Sequence, residues 1–525
     1  MSPIQEHHRL VSNLMEWLSA QSASGQVELI ETHISSVILA GSYAYKLKKP
    51  LDLGFLDFST PERRRFCCEE EVRLNSRLSE NIYLGVADIT GTLDQPRIAA
   101  GGPVIDHAVK MRRFKEGTLL SEHPQRLSVA LADKLARQIA SFHASIGSKA
   151  TLPPYGTPDQ VLLPMQQNFD QIRSLTAEYD EQISILQDWT REEFRRLEQR
   201  LGERRKQGYI RECHGDLHLG NIVLEGERLI LFDGIEFNPG LRWIDTISEL
   251  AFLLMDIEEK GLFPIARQVL NSYLEISGDY QGLDLLRFYQ LYRAMVRAKV
   301  LAIRLHQSDL TEDEKMVLQK ELTTYLDKAQ QYTRSVRPSL LITHGFSGSG
   351  KTTVSNELLK RMSLIRVRSD VERKRLAGLG ALAGSGSPPM GGIYTAGFSE
   401  KTYDYLRSLA ESLLRAEYSV IVDAAFLKRS QRRLFTELAF RQCLPFLILD
   451  FQVPMQELRK RVTDRKRLGS DSSEADEEVL KLQIESHEHL TEEERQYTVP
   501  VHQESEGQRS LIIQIQNQLR GQSVS

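Results

Sequence analysis

At 525 residues, with 41% hydrophobic and 26% charged side chains, the chain is long enough for two to four globular domains, each with its own buried core. Its net charge of −4 argues against a general nucleic-acid or membrane-surface binder, and four cysteines without metal-ligand spacing (Cys67, Cys68, Cys213, Cys443) exclude a disulfide framework. No apolar run approaches the ~20 residues of a membrane span, and the opening MSPIQEHHRL lacks a signal-peptide pattern, so a soluble cytoplasmic protein is expected.

Residues 8–21 read as an amphipathic helix. Between Val27 and Lys48, β-branched and aromatic residues recur around a turn at Gly41–Ser42, the pattern of paired strands. Thr60 as cap and Pro61 at the first helical position open a helix over 61–79. IYLGVADIT and HAVKMRRF are further strands, giving a small β-rich lobe with one helix. From Ser128 to Leu201 the period is helical. Two short apolar strands, NIVLE and RLILFD, then flank a turn at Gly226, and long helical patterns run from Ile244 to Arg334.

Near Val336–Pro338 that pattern stops, because proline disfavours helix at the preceding residue. The expected division is therefore 1–335, with lobes of about 1–117 and 118–335, followed by 336–525. Beyond it, LLITHGF, LIRVRSD, SVIVDAAF and PFLILDFQV alternate with helical stretches. They are too apolar to be one-sided, which signals a parallel α/β sheet. The Gly/Ser/Pro-rich 378–392 is expected to be a mobile loop.

The segment Cys213-His-Gly-Asp-Leu-His-Leu-Gly-Asn221, followed by a hairpin ending at Asp233, carries kinase-type chemistry. Phosphoryl transfer needs one carboxylate beside the acceptor hydroxyl, and an amide oxygen and a second carboxylate holding Mg²⁺ on the phosphates. Asp216 fits the first role, and Asn221 and Asp233 fit the second. The motif resembles the signature of aminoglycoside-phosphotransferase and choline-kinase-like enzymes, an α+β protein-kinase-like fold. That resemblance implies an ATP-binding lysine in Ala44-Tyr45-Lys46, with Lys48 on the same strand face as the alternative. It also implies a partner glutamate, Glu71, for which Glu69 and Glu70 compete. Asp233-Gly-Ile-Glu236 departs from the protein-kinase Asp-Phe-Gly, so small-molecule acceptors are favoured over proteins. Glu236 is a candidate acceptor ligand. Asp245 and Glu249, one helical turn apart, are expected to fix the loop through Arg242, with acceptor binding as the competing role. His218 reads as a satisfied hydrogen-bonding histidine.

Gly345-Phe-Ser-Gly-Ser-Gly-Lys-Thr352 fits the P-loop pattern, after an apolar strand and before a helix. Glycines turn backbone N–H groups onto phosphate oxygens, and the helix N-terminus adds its positive end. ATP contacts are expected from Gly345, Ser347, Gly348, Ser349, Gly350, Lys351, Thr352 and Thr353, with Lys351 on the β/γ-phosphates. Mg²⁺ ligation is expected from Thr352 and Asp423, the latter alternatively a helix cap. Asp370 is placed to take an acceptor proton and Arg373 to hold an anionic part of the acceptor, with a capping carboxylate and a solvated helix face as the competing reading. Arg461 and Arg465, one turn apart before a Ser/Asp-rich stretch, are the lid candidates. This half resembles the small P-loop kinases, including polynucleotide-kinase-like, gluconate-kinase-like and zeta-toxin-like enzymes, with an α/β fold on a parallel sheet.

Together the resemblances imply a two-domain family fusing an aminoglycoside-phosphotransferase-like kinase domain to a P-loop kinase-like domain, using ATP and Mg²⁺. The expected function is a bifunctional kinase with small-molecule hydroxyl acceptors. The alternatives are one active site beside a regulatory one, or a nucleic-acid 5′-hydroxyl kinase in the C-terminal half.

Overall fold

A computed structural model describes the chain apart from residues 1, 22–25, 55, 99, 148–154, 308–309, 382, 385–390, 469–476, 502–506 and 523–525, and the side chains of 465–468 and 507–508. Two compact units emerge. One holds Met1–Leu127, Ser141–Gly261 and Phe288–Tyr332; the other holds Ser128–Ala140, Leu262–Arg287 and Thr333–Ser525. The segments 128–140 and 262–287, which lie before the expected division at residue 336, therefore pack with the P-loop half.

In the first unit, β1 (Val27–Glu31), β2 (Ser35–Ala40), β3 (Tyr43–Lys48), β4 (Tyr83–Gly91), β5 (Pro96–Ile98) and β6 (Val104–Arg112) form a sheet in the order β1-β2-β3-β6-β4-β5. All its pairings are antiparallel. Strand alternation sorts β3 into two faces. Tyr45 and Leu47 pack on Leu10, Val11 and Leu14 of the helix Pro3–Gln21. Ala44 packs on Cys68 of the helix Pro61–Asn75, so Lys46 and Lys48 share that second face. Thr60 caps this helix as its sequence requires, its hydroxyl accepting from Arg63 N at 3.4 Å, a device worth about 1 kcal/mol.

Further along this unit come β7 (Ile210–Glu212), the hairpin β8 (Ile222–Glu225) and β9 (Arg228–Leu231), and β10 (Trp243–Asp245), which pairs with β7. Gly226 turns the hairpin at φ +61°. Val223 and Ile230 of the hairpin pack with Ala44, Cys68 and Val109, and Phe169, Ile183, Phe252, Leu291, Leu322 and Leu326 form a separate helical core.

The second unit is built on β11 (Leu340–His344), β12 (Leu364–Arg368), β13 (Ser419–Asp423), β14 (Phe446–Phe451) and β15 (Thr498–Val501), all parallel, in the order β12-β13-β11-β14-β15. β15 carries no strong pattern in the sequence and was not expected. β11 lies between β13 and β14, so its carboxyl end opens at the switch point where ligands sit in such sheets. The stretch 378–392 ends at Gly392, which opens a short 3₁₀ turn, Gly392–Tyr394, and 382 and 385–390 lie outside the described residues. Among the described residues no helix is long and apolar enough to cross a membrane.

Candidate active sites

Five charged side chains meet on the inner face of β3. Glu71 Oε1 accepts from Lys46 Nζ at 2.9 Å, and Lys46 also pairs with Asp233. Lys48 takes the other Glu71 oxygen and Glu236. The side chains of Lys48 and Glu71 are wholly buried, whereas that of Asp233 is 41% exposed. Lys46 is therefore the lysine that faces the open site, and Lys48 closes the network from inside. Burial pushes the Glu71 carboxyl up, but the two ammonium groups outweigh it and hold it at about 2. Burial lowers the Lys46 ammonium less than Asp233 and Glu71 raise it, so it stays well above the usual lysine range. Glu69 turns outward onto Arg65, and Glu70 is taken by Arg73 and Arg242.

Glu236, expected to reach an acceptor, is instead only 4% exposed and committed to Lys48. A buried carboxylate must be paired, and here it anchors the turn that carries Asp233. That turn is strained, since Asp233 sits at φ +62°. It is held by Tyr83 Oη and Asn75 Oδ1, which accept from the N–H groups of Asp233 (3.0 Å) and Gly234 (2.7 Å).

The loop after β7 is equally fixed. His214 Nε2 donates to Phe232 O at 2.8 Å, and its Nδ1 accepts from Asp216 N at 3.3 Å. Asn221 Nδ2 donates to Asp216 O (2.9 Å) and to its Oδ2 (3.1 Å), so Oδ1 is the atom of Asn221 that could ligate a cation. With Asp233 this is an oxygen donor pair suited to Mg²⁺. The side chain of Asp216 is 37% exposed, with His218 Nε2 at 3.4 Å from its Oδ2. Burial would raise the Asp216 carboxyl, yet His218 holds it well below the usual carboxylate range. Burial in turn lowers His218, and Asp216 raises it by more. His218 thus touches the site rather than standing outside it.

The acidic residues that follow are structural. Glu249 accepts from Gly215 N (2.8 Å) and pairs with His143 (2.9 Å). Asp256 accepts from Leu219 N (2.8 Å). Asp245 is buried against Arg204 (2.7 and 2.8 Å). Arg242, expected to link Asp245 and Glu249 to the loop, pairs instead with Glu212 and Glu70 and donates to Glu236 O. The loop is held directly, without that intermediary.

In the second unit, Gly345, Gly348 and Gly350 adopt φ of +153°, +81° and +85°. A Cβ on Gly348 would lie 3.0 Å from Val462 Cγ2 and 3.2 Å from Leu458 O, so only glycine lets the loop lie this close to the helix Met455–Leu468. Lys351 Nζ donates to the carbonyls of Gly345 (2.9 Å) and Phe346 (2.8 Å). Thr352 Oγ1 donates to Asp423 Oδ2 at 2.9 Å, and Ser355 Oγ reaches the same oxygen at 3.2 Å. A threonine hydroxyl and a carboxylate side by side under a phosphate-binding loop are an oxygen set that fits Mg²⁺. Ser349 is buried and Thr353 is exposed on the first helical turn. Gln483 grips Ser347 twice, its Oε1 accepting from Ser347 N (2.9 Å) and its Nε2 donating to Ser347 Oγ (3.0 Å). Next to it His344 pairs with Asp450 (2.6 Å) and faces His487 (3.2 Å between Nε2 atoms).

Asp370 is half-buried on the first turn of the helix Ser369–Leu376. Arg373, expected to hold an acceptor anion, is only 8% exposed. Its guanidinium donates to Ile393 O (2.9 Å) and Ser399 Oγ (3.1 Å), tying down the turn before the helix Ala396–Arg415. Arg461 pairs with Glu457 at 2.7 Å. The Arg465 side chain and the Ser/Asp-rich stretch that follows lie outside the described residues.

Residues 96–289 match the family described as "Phosphotransferase enzyme family", and residues 340–490 match the one described as "AAA domain". An uncharacterized protein of Mycobacterium tuberculosis is 30% identical over 404 residues, 76% of this chain and 78% of that one. The chain belongs to the two-domain family that joins an aminoglycoside-phosphotransferase-like domain to a P-loop kinase-like domain. With a phosphotransferase domain and a P-loop kinase-like domain, the chain is an ATP-dependent phosphotransferase. Among solved structures, a choline/ethanolamine kinase family protein from Mesorhizobium loti aligns at 13% identity and TM-score 0.36, covering 61% of this chain and 99% of that one. A gluconokinase from Sinorhizobium meliloti aligns at 20% identity and TM-score 0.25, covering 36% and 93%.

Proposed function

We propose that this family member is a bifunctional kinase, each site moving the γ-phosphate of ATP onto a hydroxyl of a small molecule with Mg²⁺ bound. The reading rests on a duplication. Each unit separately holds a lysine and an oxygen-donor set: Lys46, bonded to Asp233, with Asn221 on the neighbouring loop in one, and Lys351, resting on the P-loop carbonyls, with the bonded pair Thr352 and Asp423 in the other. At the first site Asp216, ionised at neutral pH, orients the acceptor hydroxyl and takes its proton as the new oxygen–phosphorus bond forms and the bond from γ-phosphorus to the bridging oxygen breaks, releasing ADP. Asn75, Tyr83 and Glu236 keep the Asp233 turn in place, and Lys46 draws charge from the phosphates. The bound Mg²⁺ would neutralise the charge that develops on the transferring group. At the second site Asp370 is the candidate for the same proton. Arg373, buried with its Nη1 held by Ile393 O and Ser399 Oγ, gives little support to a nucleic-acid 5′-end acceptor.

Separate Asp216→Asn and Lys351→Ala variants of the full chain, incubated with ATP, Mg²⁺ and a metabolite extract, test this by mass spectrometry. Each variant should lose a different product that is heavier than its precursor by one phosphate. If one substitution abolished every product and the other none, a single catalytic site would stand, with the second site regulatory.

A further inference from the structure

The edge strand β12 of the P-loop sheet is covered by the helix Phe263–Ser277, a segment inside the stretch matched by the phosphotransferase family. Asn271, 1% exposed, replaces a neighbouring strand. Its Oδ1 accepts from Arg366 N at 2.8 Å and its Nδ2 donates to Leu364 O at 3.1 Å. One turn further along the helix, Glu275 Oε1 accepts from Arg366 Nε and Nη2 (2.8 and 2.5 Å). The remaining arm of the same guanidinium, Nη1, donates to Ser355 Oγ at 3.3 Å and to Asn356 Oδ1.

Ser355 is wholly buried, and its oxygen lies 3.2 Å from Asp423 Oδ2, the atom that also takes Thr352 Oγ1. A serine hydroxyl has one hydrogen. Two acceptors face that hydrogen, Thr352 O at 3.1 Å and Asp423 Oδ2 at 3.2 Å, and Arg366 on a lone pair of Ser355 Oγ leaves the hydrogen turned towards these two. When Ser355 turns to Asp423, it and Thr352 both donate to Oδ2, and the other carboxylate oxygen is left for a cation. The line Glu275, Arg366, Ser355, Asp423 is buried along its length, with side-chain exposures of 14% and 6% at the first two members. A hydrogen bond in such surroundings is stronger than in water, and leaving one member unsatisfied costs more.

We propose that Glu275 is a positioning residue for the P-loop magnesium site, acting through Arg366 and Ser355 on Asp423. The P-loop kinase then extends into Leu262–Arg287, and its metal ligand is oriented by a helix that the sequence assigns to the other domain. This rests on the reading of the second unit as a magnesium–nucleotide site. Residues one step behind a metal ligand typically change metal affinity by about 10–100-fold when removed.

The test uses the full chain in an Asp233→Asn background, so that Mg²⁺-dependent nucleotide binding reports the P-loop. Fluorescent ATP is titrated with Mg²⁺ and, separately, with EDTA. Glu275→Ala should weaken binding in Mg²⁺ by roughly tenfold, raise the Mg²⁺ concentration for half-saturation, and leave binding in EDTA within about twofold. Arg366→Lys, which cannot span Glu275 and Ser355 together, should do the same and serves if Glu275→Ala does not fold. Asn271→Ala should lower stability without changing the Mg²⁺ requirement. Equal weakening with and without Mg²⁺, or no change in either, would overturn the proposal. Lys351→Ala keeps the two claims apart: if it left Mg²⁺-dependent binding untouched, the P-loop reading itself would fail.

Discussion

Glu71 joins Lys46 at 2.9 Å with one oxygen while its other oxygen holds Lys48, so one buried carboxylate serves two lysines of unequal purpose. Besides Glu71, Lys46 reaches the half-exposed Asp233, whereas Lys48 reaches the buried Glu236. Lys46→Ala should therefore abolish transfer at the first site, seen as loss of its product. Lys48→Met should instead strand Glu236 without a counter-charge and cost about 3–5 kcal/mol of stability in denaturant unfolding. Lys48→Met/Glu236→Gln together should recover much of that loss. The assignment of the two lysines would be reversed by a stable, inactive Lys48→Met.

The same pair gives the first unit an acid limit. The Glu71 carboxyl lies at about 2 in the folded protein, below its ordinary value of 4.5. A depressed carboxyl contributes stability that is fully present above the unfolded value and is lost as pH falls through the folded one. Unfolding free energy should thus decline from about pH 4.5 towards pH 2, and Glu71→Gln should flatten that decline. An unchanged slope in the variant would place the acid sensitivity elsewhere.

The motifs were legible because their chemistry fixes their spacing. Asp216, Asn221 and Asp233 are set by a loop and one hairpin, and Gly345–Thr352 by one strand–helix turn, all local in sequence. Glu71 was separable from Glu69 and Glu70 only by which helix face meets β3, which a short charged run does not reveal. What the sequence conceals is long-range. Arg373 and Glu236 look like ligands because charged residues are usually exposed, and nothing near them in sequence marks the partners that bury them, Ile393 and Ser399 for one and Lys48 for the other. Gln483, Glu275 and Arg366 carry no motif at all. Their roles exist only once the sheet brings residues some 90 to 136 positions apart into hydrogen-bonding distance. β15 was missed because four residues, one of them proline, are too few for a periodic signal.

Asp216 is exposed enough to meet an acceptor, and His218 holds its carboxyl well below the usual range. Asp216→Asn keeps its size and removes its charge, so the first site's turnover should fall by about 10²–10⁴-fold while ATP affinity stays within a few-fold. His218→Gln should release the Asp216 carboxyl upward and move the acid limb of the pH–rate profile to higher pH. An unmoved limb would detach His218 from the reaction.

Gln483 closes a two-bond clamp on Ser347 in the middle of the P-loop. A loop whose N–H groups must converge on phosphate gains from being held before the nucleotide arrives, since ordering it afterwards subtracts from binding. Removing two hydrogen bonds of about 1 kcal/mol each sets the scale at roughly ten- to thirtyfold. Gln483→Ala should weaken ATP binding at the second site by up to that factor, raising KM and leaving kcat nearly unchanged. Gln483→Glu keeps the acceptor for Ser347 N but puts a negative charge beside the phosphates, so it should be worse than alanine. Tighter binding by Gln483→Ala would mean the opposite: that the amide occupies an N–H the nucleotide needs, and must leave before phosphate can bind.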